Sequence, residues 1–116
     1  MSEIFDQQSL LDTVDGDIEF LEETVGMLDE DGPALLAEVQ RAALARDAAA
    51  LVGPAHALKS MMGNFCAAQA QEAARIVEAM GRENRLDDVD AAVQALQLAA
   101  EQLNEALKAF LKANKP

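Results

Sequence analysis

The C-terminal segment of the chain places apolar residues at alternating steps of four and three positions. Seven residues form this stripe: Val89, Val93, Leu96, Ala100, Leu103, Leu107 and Phe110. Such spacing keeps side chains on one face of an α-helix, whereas a half-buried strand would alternate with period two. We therefore predict a long amphipathic helix from Leu86 to Ala113, whose apolar face must be covered by other helices.

Four earlier segments also show helical spacing, and no segment alternates convincingly with period two. We predict helices at residues 6–14, from Ile18 to Ala45, from about Asp47 to residue 65, and at residues 66–80. Alanine and leucine dominate and aromatic residues make up 3% of the chain, which favours helix over sheet. The predicted fold is all-α: an antiparallel four-helix bundle with a short additional N-terminal helix, in one domain over residues 1–116.

Glycine and proline mark breaks in these segments. Residues 15–17, Asp-Gly-Asp, end the first helix and offer a carboxylate cap to the second, and residues 81–85 are predicted to form a turn. Pro33 is expected to kink or restart the second helix. Pro54 leaves two alternatives for the third helix: a kink at this residue, or a start there with the proline in the first turn.

Charge and cysteine content exclude several classes of protein. The formal net charge of −12 argues against binding to nucleic acid or to an anionic membrane surface, because phosphates attract a basic face. The single Cys66 cannot form an intramolecular disulfide. The N-terminus has neither the basic start nor the apolar run of a signal peptide, and no window approaches the ~18 apolar residues of a membrane span. We expect a cytoplasmic protein.

The only histidine, His56, lies in the stretch AHALKSMMGNFCA at residues 55–67. On a helix over residues 51–65, one stripe would face the core: Leu51, Ala55, Leu58, Met62 and Phe65. His56 shares a different, outward face with Lys59, Ser60 and Gly63. The two small residues would leave space beside the ring, and Lys59 could neutralise an anion placed on a ring nitrogen. From spacing alone, an ordinary surface histidine beside an ordinary lysine is the simpler interpretation.

The whole stretch resembles the signature of histidine-containing phosphotransfer (HPt) domains, approximately H-x-L-K-G followed by small residues, an apolar residue, Gly and Ala. His56, Leu58 and Lys59 match this signature outright. The segment DGDIEFLEETVGML looks like the start of the family's second helix, and LLAEVQRAALARD precedes the histidine helix in the expected order. The resemblance covers nearly the whole chain.

The resemblance implies a protein that carries a phosphoryl group to and from the aspartate of response-regulator receiver domains, without kinase activity of its own. His56 would be the phosphorylated residue, reacting through Nε2 if Nδ1 faces the helix, and Lys59 the supporting cation. The resemblance implies no cofactor in this chain, with Mg²⁺ on the receiver. A hybrid sensor kinase is a further expected partner, and we expect a monomer.

The same resemblance implies a docking surface around the histidine, made by Ser60 and Gly63. We expect Met61 and Ala57 to extend it. Ser60 stands where the family usually has glycine, and its hydroxyl could bond a phosphoryl oxygen or crowd the receiver.

Cys66 stands at the second usual glycine of the signature. If the end of the helix needs a left-handed residue, Gly63 or Asn64 is expected to supply it. Cys66 itself is expected to be a buried, inert thiol.

Other candidate chemistry is weak. One histidine and one cysteine do not make a zinc site. Three arginines are expected to be solvated or paired with neighbouring glutamates: Arg75, Arg82 and Arg85 with Glu72, Glu78 and Glu83. The competing function comes from a different class: a helical domain of the same fold that binds a signalling partner and transfers nothing. Phosphorylation of His56 discriminates the two.

Overall fold

A computed structural model describes residues 4–115, which form five α-helices and no β-strand. They are α1 (Gln7–Thr13), α2 (Ile18–Leu44), α3 (Ala48–Asn64), α4 (Ala68–Arg82) and α5 (Val89–Asn114). The predicted all-α class is confirmed for these residues. The predicted domain also includes residues 1–3 and 116, which lie outside the described residues. No helix within residues 4–115 is both long and apolar enough to cross a membrane.

Each of the four long helices packs against two others, so that the four surround one core. Helix α3 packs against α2 and α4, and α5 packs against the same two helices, so α3 and α5 lie across the bundle from each other. The predicted stripe of α3 is buried at every position, from Leu51 to Phe65. The predicted stripe of α5 is buried except at Ala100, which is half-buried. Both stripes contribute to one apolar core.

Aspartate side chains cap the N-termini of the first three helices. Asp6, Asp17 and Asp47 accept hydrogen bonds from backbone N–H groups in the first turns of α1, α2 and α3. These bonds satisfy donors that have no partner within the helix. The carboxylate cap predicted within residues 15–17 is confirmed at Asp17, and the third helix starts, as expected, directly after Asp47.

Both internal prolines lie within continuous helices. The predicted restart of the second helix at Pro33 is wrong, because α2 runs through this residue. Pro33 lies on the exposed side of α2, where water can reach the carbonyl that loses its helical donor. Pro54 is not a first-turn proline, since α3 already begins at Ala48.

A left-handed residue other than glycine lies in each turn between helices. These residues are Asp15, Arg46, Cys66 and Asn84, with φ between 53° and 57°. In the turn after α3, Cys66 itself takes the left-handed conformation with φ 57°, so the expectation that Gly63 or Asn64 would do so is wrong. Both of those residues remain helical because α3 continues to Asn64.

The boundaries around α4 differ from the predicted ones. Helix α4 begins at Ala68, since the left-handed Cys66 and the cap residue Ala67 precede it, and it continues through Arg82. The turn therefore begins two residues later than the predicted 81–85, and α5 begins at Val89 rather than at Leu86. Asn84, with φ 53°, is the left-handed residue of this turn, and Gly81 lies within α4.

Candidate functional site

His56 lies on the outer side of α3, as predicted, and its side chain is 55% exposed. Ser60, one turn further along, is exposed as well. Lys59 and Gly63 lie on the side of α3 that faces α4. A β-carbon on Gly63 would come within 2.5 Å of the side-chain nitrogen of Gln71 on α4. The expected open space at Gly63 is therefore filled by Gln71, and this glycine serves the contact between the two helices.

The carboxylate of Glu78 on α4 is the centre of the site. His56 Nδ1 lies 3.0 Å from its Oε2, Lys59 Nζ lies 2.7 Å from its Oε1, and Arg82 Nη2 lies 2.8 Å from its Oε2. The Glu78 side chain is 6% exposed, and no other charged residue among residues 4–115 is buried. A buried carboxylate requires paired charges and hydrogen bonds, and these three neighbours supply both.

These contacts fix the ionisation of Glu78 and the tautomer of the histidine. The hydrogen bond from Lys59 is the largest cause that lowers the pKa of Glu78 from 4.5 to about 2; burial opposes it, and Arg82 and His56 add to it. The ionised carboxylate can only accept hydrogen bonds, so His56 donates one from Nδ1–H. In the neutral ring the lone pair then lies on Nε2. The hydrogen-bond partner of Nδ1 is therefore a side chain of α4, and not a group of α3 itself.

Gly81 allows α4 to approach α3 closely, one turn beyond Glu78. A β-carbon at this position would lie 2.7 Å from the backbone oxygen of Ala48, 3.0 Å from Val52 Cγ2 and 3.1 Å from Leu51 Cβ. Real β-carbons do not come that close to backbone oxygens, so any larger residue would push the helices apart. The short distance between α3 and α4 is what brings Glu78 under the histidine.

The other side of α3 faces α2 and is apolar. Ala57 is half-buried in this row, and Met61 and Asn64 follow it at helical spacing. Met61 lines a groove of about 380 Å³ between α1, α2 and α3. Two large apolar side chains of α2 also line the groove and are exposed, Phe20 at 49% and Met27 at 60%. We call these two residues together with Met61 the apolar rim.

From the sequence, Glu78 and Arg82 are predicted to form an ordinary ion pair on the surface. The predicted partners of the three arginines are confirmed, with contacts Arg75–Glu72, Arg82–Glu78 and Arg85–Glu83. The first and third pairs are exposed, but Glu78 is buried between α3 and α4. One sequence signal could have shown this, because Glu78 falls on the inward stripe of α4: Ala70, Ala74, Val77 and Gly81.

Cys66 lies in the turn after α3, away from the cluster around Glu78. Cys66 is a free thiol that is half-buried, rather than fully buried as expected, because its left-handed position lies at the outer turn. Its backbone oxygen accepts a hydrogen bond from the Asp6 N–H, which ties the N-terminal segment to this turn. Within residues 4–115, no three His, Cys, Asp or Glu side chains are grouped so that they could hold a metal ion.

The low pKa of Glu78 predicts an acid-dependent stability. A carboxyl group whose pKa is lower in the folded chain stabilises the fold above its unfolded pKa, and this stabilisation is lost as pH falls toward about 2. We expect the urea midpoint of the wild type to fall more steeply between about pH 6 and pH 2.5 than that of Glu78→Gln, measured by circular dichroism. Glu72→Gln, at an exposed and screened pair, should follow the wild type. Equal slopes for the wild type and Glu78→Gln would contradict this.

The comparison with known families agrees with the geometry. Residues 8–106 match the family model of the Hpt domain, a span that contains α2, α3 and α4 entirely and therefore the whole site. No curated protein and no solved structure is a significant match to the chain. The match covers most of the chain and includes the histidine helix on which the sequence resemblance rested. This protein therefore belongs to the Hpt domain family.

Proposed function

We propose that this protein is a phosphoryl carrier of a two-component phosphorelay, in which His56 accepts a phosphoryl group from a receiver-domain aspartate and returns it to another. Hpt domains act in histidine phosphotransfer and interact with response-regulator receivers. One observation carries the proposal to this chain: His56 is half-exposed, while its Nδ1 donates to the buried Glu78. That arrangement leaves Nε2 as the nucleophile.

The chemistry asked of the site is limited. The Nε2 lone pair attacks phosphorus in line, the P–N bond forms, and the P–O bond to the receiver's aspartate breaks, so that the carboxylate leaves. Positioning and nearby positive charge supply most of the stabilisation of such a transition state. Lys59 and Arg82 contact the same carboxylate as the ring, so two cations stand beside it. We propose that Mg²⁺ is held by the receiver and that this chain needs no cofactor.

We propose that the receiver docks on the exposed row of His56 and Ser60 together with the apolar rim. Ala57 and Met61 connect this row to the groove against α2. An apolar centre with charges around it is the usual composition of a protein interface. Gly63 contributes indirectly, because it lies under Gln71 and lets α4 approach.

The finer architecture and setting are also proposals. We infer that the ring of four long helices is antiparallel and that α1 is the short additional helix; the pairwise contacts and the short connections support this. A monomer in the cytoplasm, served by receivers and by a hybrid sensor kinase, is the proposed setting.

The competing proposal is a helical interaction domain that binds a partner through the apolar rim and transfers nothing. The exposure of Phe20 and Met27 supports partner binding under either proposal, so only labelling of His56 separates the two. The test is to mix the purified chain with phosphorylated receiver domains and magnesium. An acid-labile, alkali-stable phosphate on His56 supports the phosphoryl carrier. Binding of receivers without any label supports the interaction domain.

Lys59→Ala is expected to slow transfer from a phosphorylated receiver by about tenfold, because one of the two cations beside the ring is removed. The Lys59 side chain is 28% exposed and lies outside the apolar core, so the far-ultraviolet circular dichroism should not change. Stopped reactions followed by gel autoradiography measure the rate. Unchanged rates across several receivers would remove Lys59 from the site.

Met27→Ala is expected to weaken receiver binding by about tenfold, since large apolar anchors are among the minority of interface residues whose truncation costs more than about 1 kcal/mol. Leu98→Ala is the matched control: Leu98 is 55% exposed but lies on α5, across the bundle from α3. Isothermal titration with the receiver gives both affinities. Equal losses in the two variants would place the docking surface elsewhere.

A further inference from the structure

Phosphorylation adds negative charge next to a carboxylate that is already buried. When the ring of His56 is in its neutral, nucleophilic form, Glu78 faces Lys59, Arg82 and an uncharged ring, so the cluster carries one surplus positive charge. A phosphoryl group on Nε2 brings close to two negative charges. If the Nδ1 proton stays in place, the ring becomes cationic and forms an ion pair with Glu78 across the existing 3.0 Å contact.

We propose that Glu78 is a positioning residue that keeps the proton on Nδ1 of phosphorylated His56 at neutral pH, and so keeps the phosphoryl group transferable. The inference rests on the proposed function and extends it from accepting the phosphoryl group to giving it up. The ease with which phosphohistidine releases its phosphoryl group would then depend on a residue of α4 as well as on the histidine helix.

The proton matters because of the bond that breaks. When water or a receiver aspartate attacks phosphorus, the P–N bond breaks and its electron pair returns to Nε2. With a proton on Nδ1 the leaving group is neutral imidazole, whereas without it the leaving group is the far more basic imidazolate anion. Hydrolysis of the protonated form consumes one water and yields the neutral ring and dihydrogen phosphate, so atoms and charge balance.

The charged groups around the ring come from two helices. Lys59 belongs to α3, and Glu78 and Arg82 belong to α4. Towards α2, the neighbouring row of α3 contains Ala57 and Met61, which carry no charge, and the acidic residue of α2 that lines the groove beside Met61 is Asp31. The two cations oppose a proton on the ring and the carboxylate favours it. Glu78 has the direct hydrogen bond to the ring, and its pKa of about 2 keeps it ionised throughout the physiological range.

Chemical labelling tests this without a receiver. Phosphoramidate transfers its phosphoryl group to imidazole and releases ammonia, and the decay of the labelled protein is then followed from about pH 5 to pH 10. We expect decay to slow as the ring proton is lost, with a midpoint in Glu78→Gln about one pH unit or more below that of the wild type. Between the two midpoints the variant's phosphohistidine should survive about tenfold longer.

Two further variants separate charge from structure. Glutamine at position 78 can still accept the Nδ1–H hydrogen bond, so its effect reports the lost charge. Glu72→Gln, which removes an exposed carboxylate of the same helix, should keep the wild-type midpoint. Lys59→Ala should move the midpoint upward, because it removes a cation that opposes the ring proton. Loss of structure alone would not give shifts of opposite sign.

Each outcome decides a specific point. A Glu78→Gln midpoint equal to that of the wild type would overturn the inference and leave phosphoryl acceptance untouched. If Glu78→Gln does not fold, nitrogen-15 NMR of the phosphorylated wild type at about pH 8 decides: a protonated Nδ1 supports the inference and a deprotonated one overturns it. Labelling by phosphoramidate but by no receiver would overturn the proposed function instead. Absence of any label on His56 would overturn both.

Discussion

His56→Gln is expected to reduce phosphoryl acceptance from a phosphorylated receiver to below about 1% of the wild-type level, because the nucleophile is removed. The fold should be retained, since the His56 side chain is 55% exposed and lies outside the core. Glutamine also offers an amide N–H that can replace Nδ1–H as a donor to Glu78. We expect the free energy of unfolding to change by no more than about 0.5 kcal/mol.

The measurement compares radiolabel on the two proteins after equal exposure to the same receiver, with urea unfolding as the check on folding. Because His56 is the only histidine of the chain, an acid-labile and alkali-stable label that disappears in His56→Gln is assigned to this residue. Ser60→Ala is a useful companion, since it alters the adjacent exposed position and keeps the nucleophile. A label that persists in His56→Gln would contradict the assignment and direct attention to another acceptor.

Gly81→Ala is expected to lower the free energy of unfolding by about 1–3 kcal/mol, which is the usual cost of overpacking. The added methyl group would sit 2.7 Å from the backbone oxygen of Ala48, and a backbone oxygen cannot move aside as a flexible side chain can. For a domain of this size the melting temperature should fall by about 4 °C for each kcal/mol. Separation of α3 from α4 should also weaken the contact of Glu78 with His56 and slow transfer.

Gly26→Ala is the matched control for this prediction. Gly26 lies inside α2 on the exposed side, and a β-carbon there would meet nothing within 4 Å. The same substitution should therefore stabilise the protein by about 0.5–1 kcal/mol, through helix propensity alone. Thermal unfolding by circular dichroism gives both values. We expect the melting temperature to fall in Gly81→Ala and to rise in Gly26→Ala. A rise in both variants would show that the close contact at Gly81 does not destabilise the alanine variant.

Relations within one helix could be predicted from the sequence. The stripe from Leu51 to Phe65 is buried as predicted, and His56 lies on the outer side of the same helix. The cap at Asp47 also follows from local chemistry. Each of these depends only on the period of the α-helix and on backbone groups nearby in sequence, so no knowledge of the neighbouring helices is required.

Relations between helices could not be predicted in the same way. Glu78 lies 22 positions after His56, and the contact between them depends on how far α4 slides along α3. That position is set by the packing at Gly81, and a glycine next to Arg82 was instead interpreted as the beginning of a turn. The cover of Gln71 over Gly63 was missed for the same reason, because periodicity assigns a face but not the side chain that lies against it.

The four groups that meet at the site come from α3 and α4, which are joined by residues 65–67 alone. Helices α2 and α5 support this hairpin by apolar packing, for which volume and pattern matter more than the identity of each side chain. Selection on the transfer chemistry thus acts on α3 and α4, selection on receiver docking adds the apolar rim of α2, and α5 carries the fewest constraints on individual side chains. In a lineage that inherits this protein, we expect the hairpin to stay recognisable long after α5 has lost all visible similarity to its ancestor.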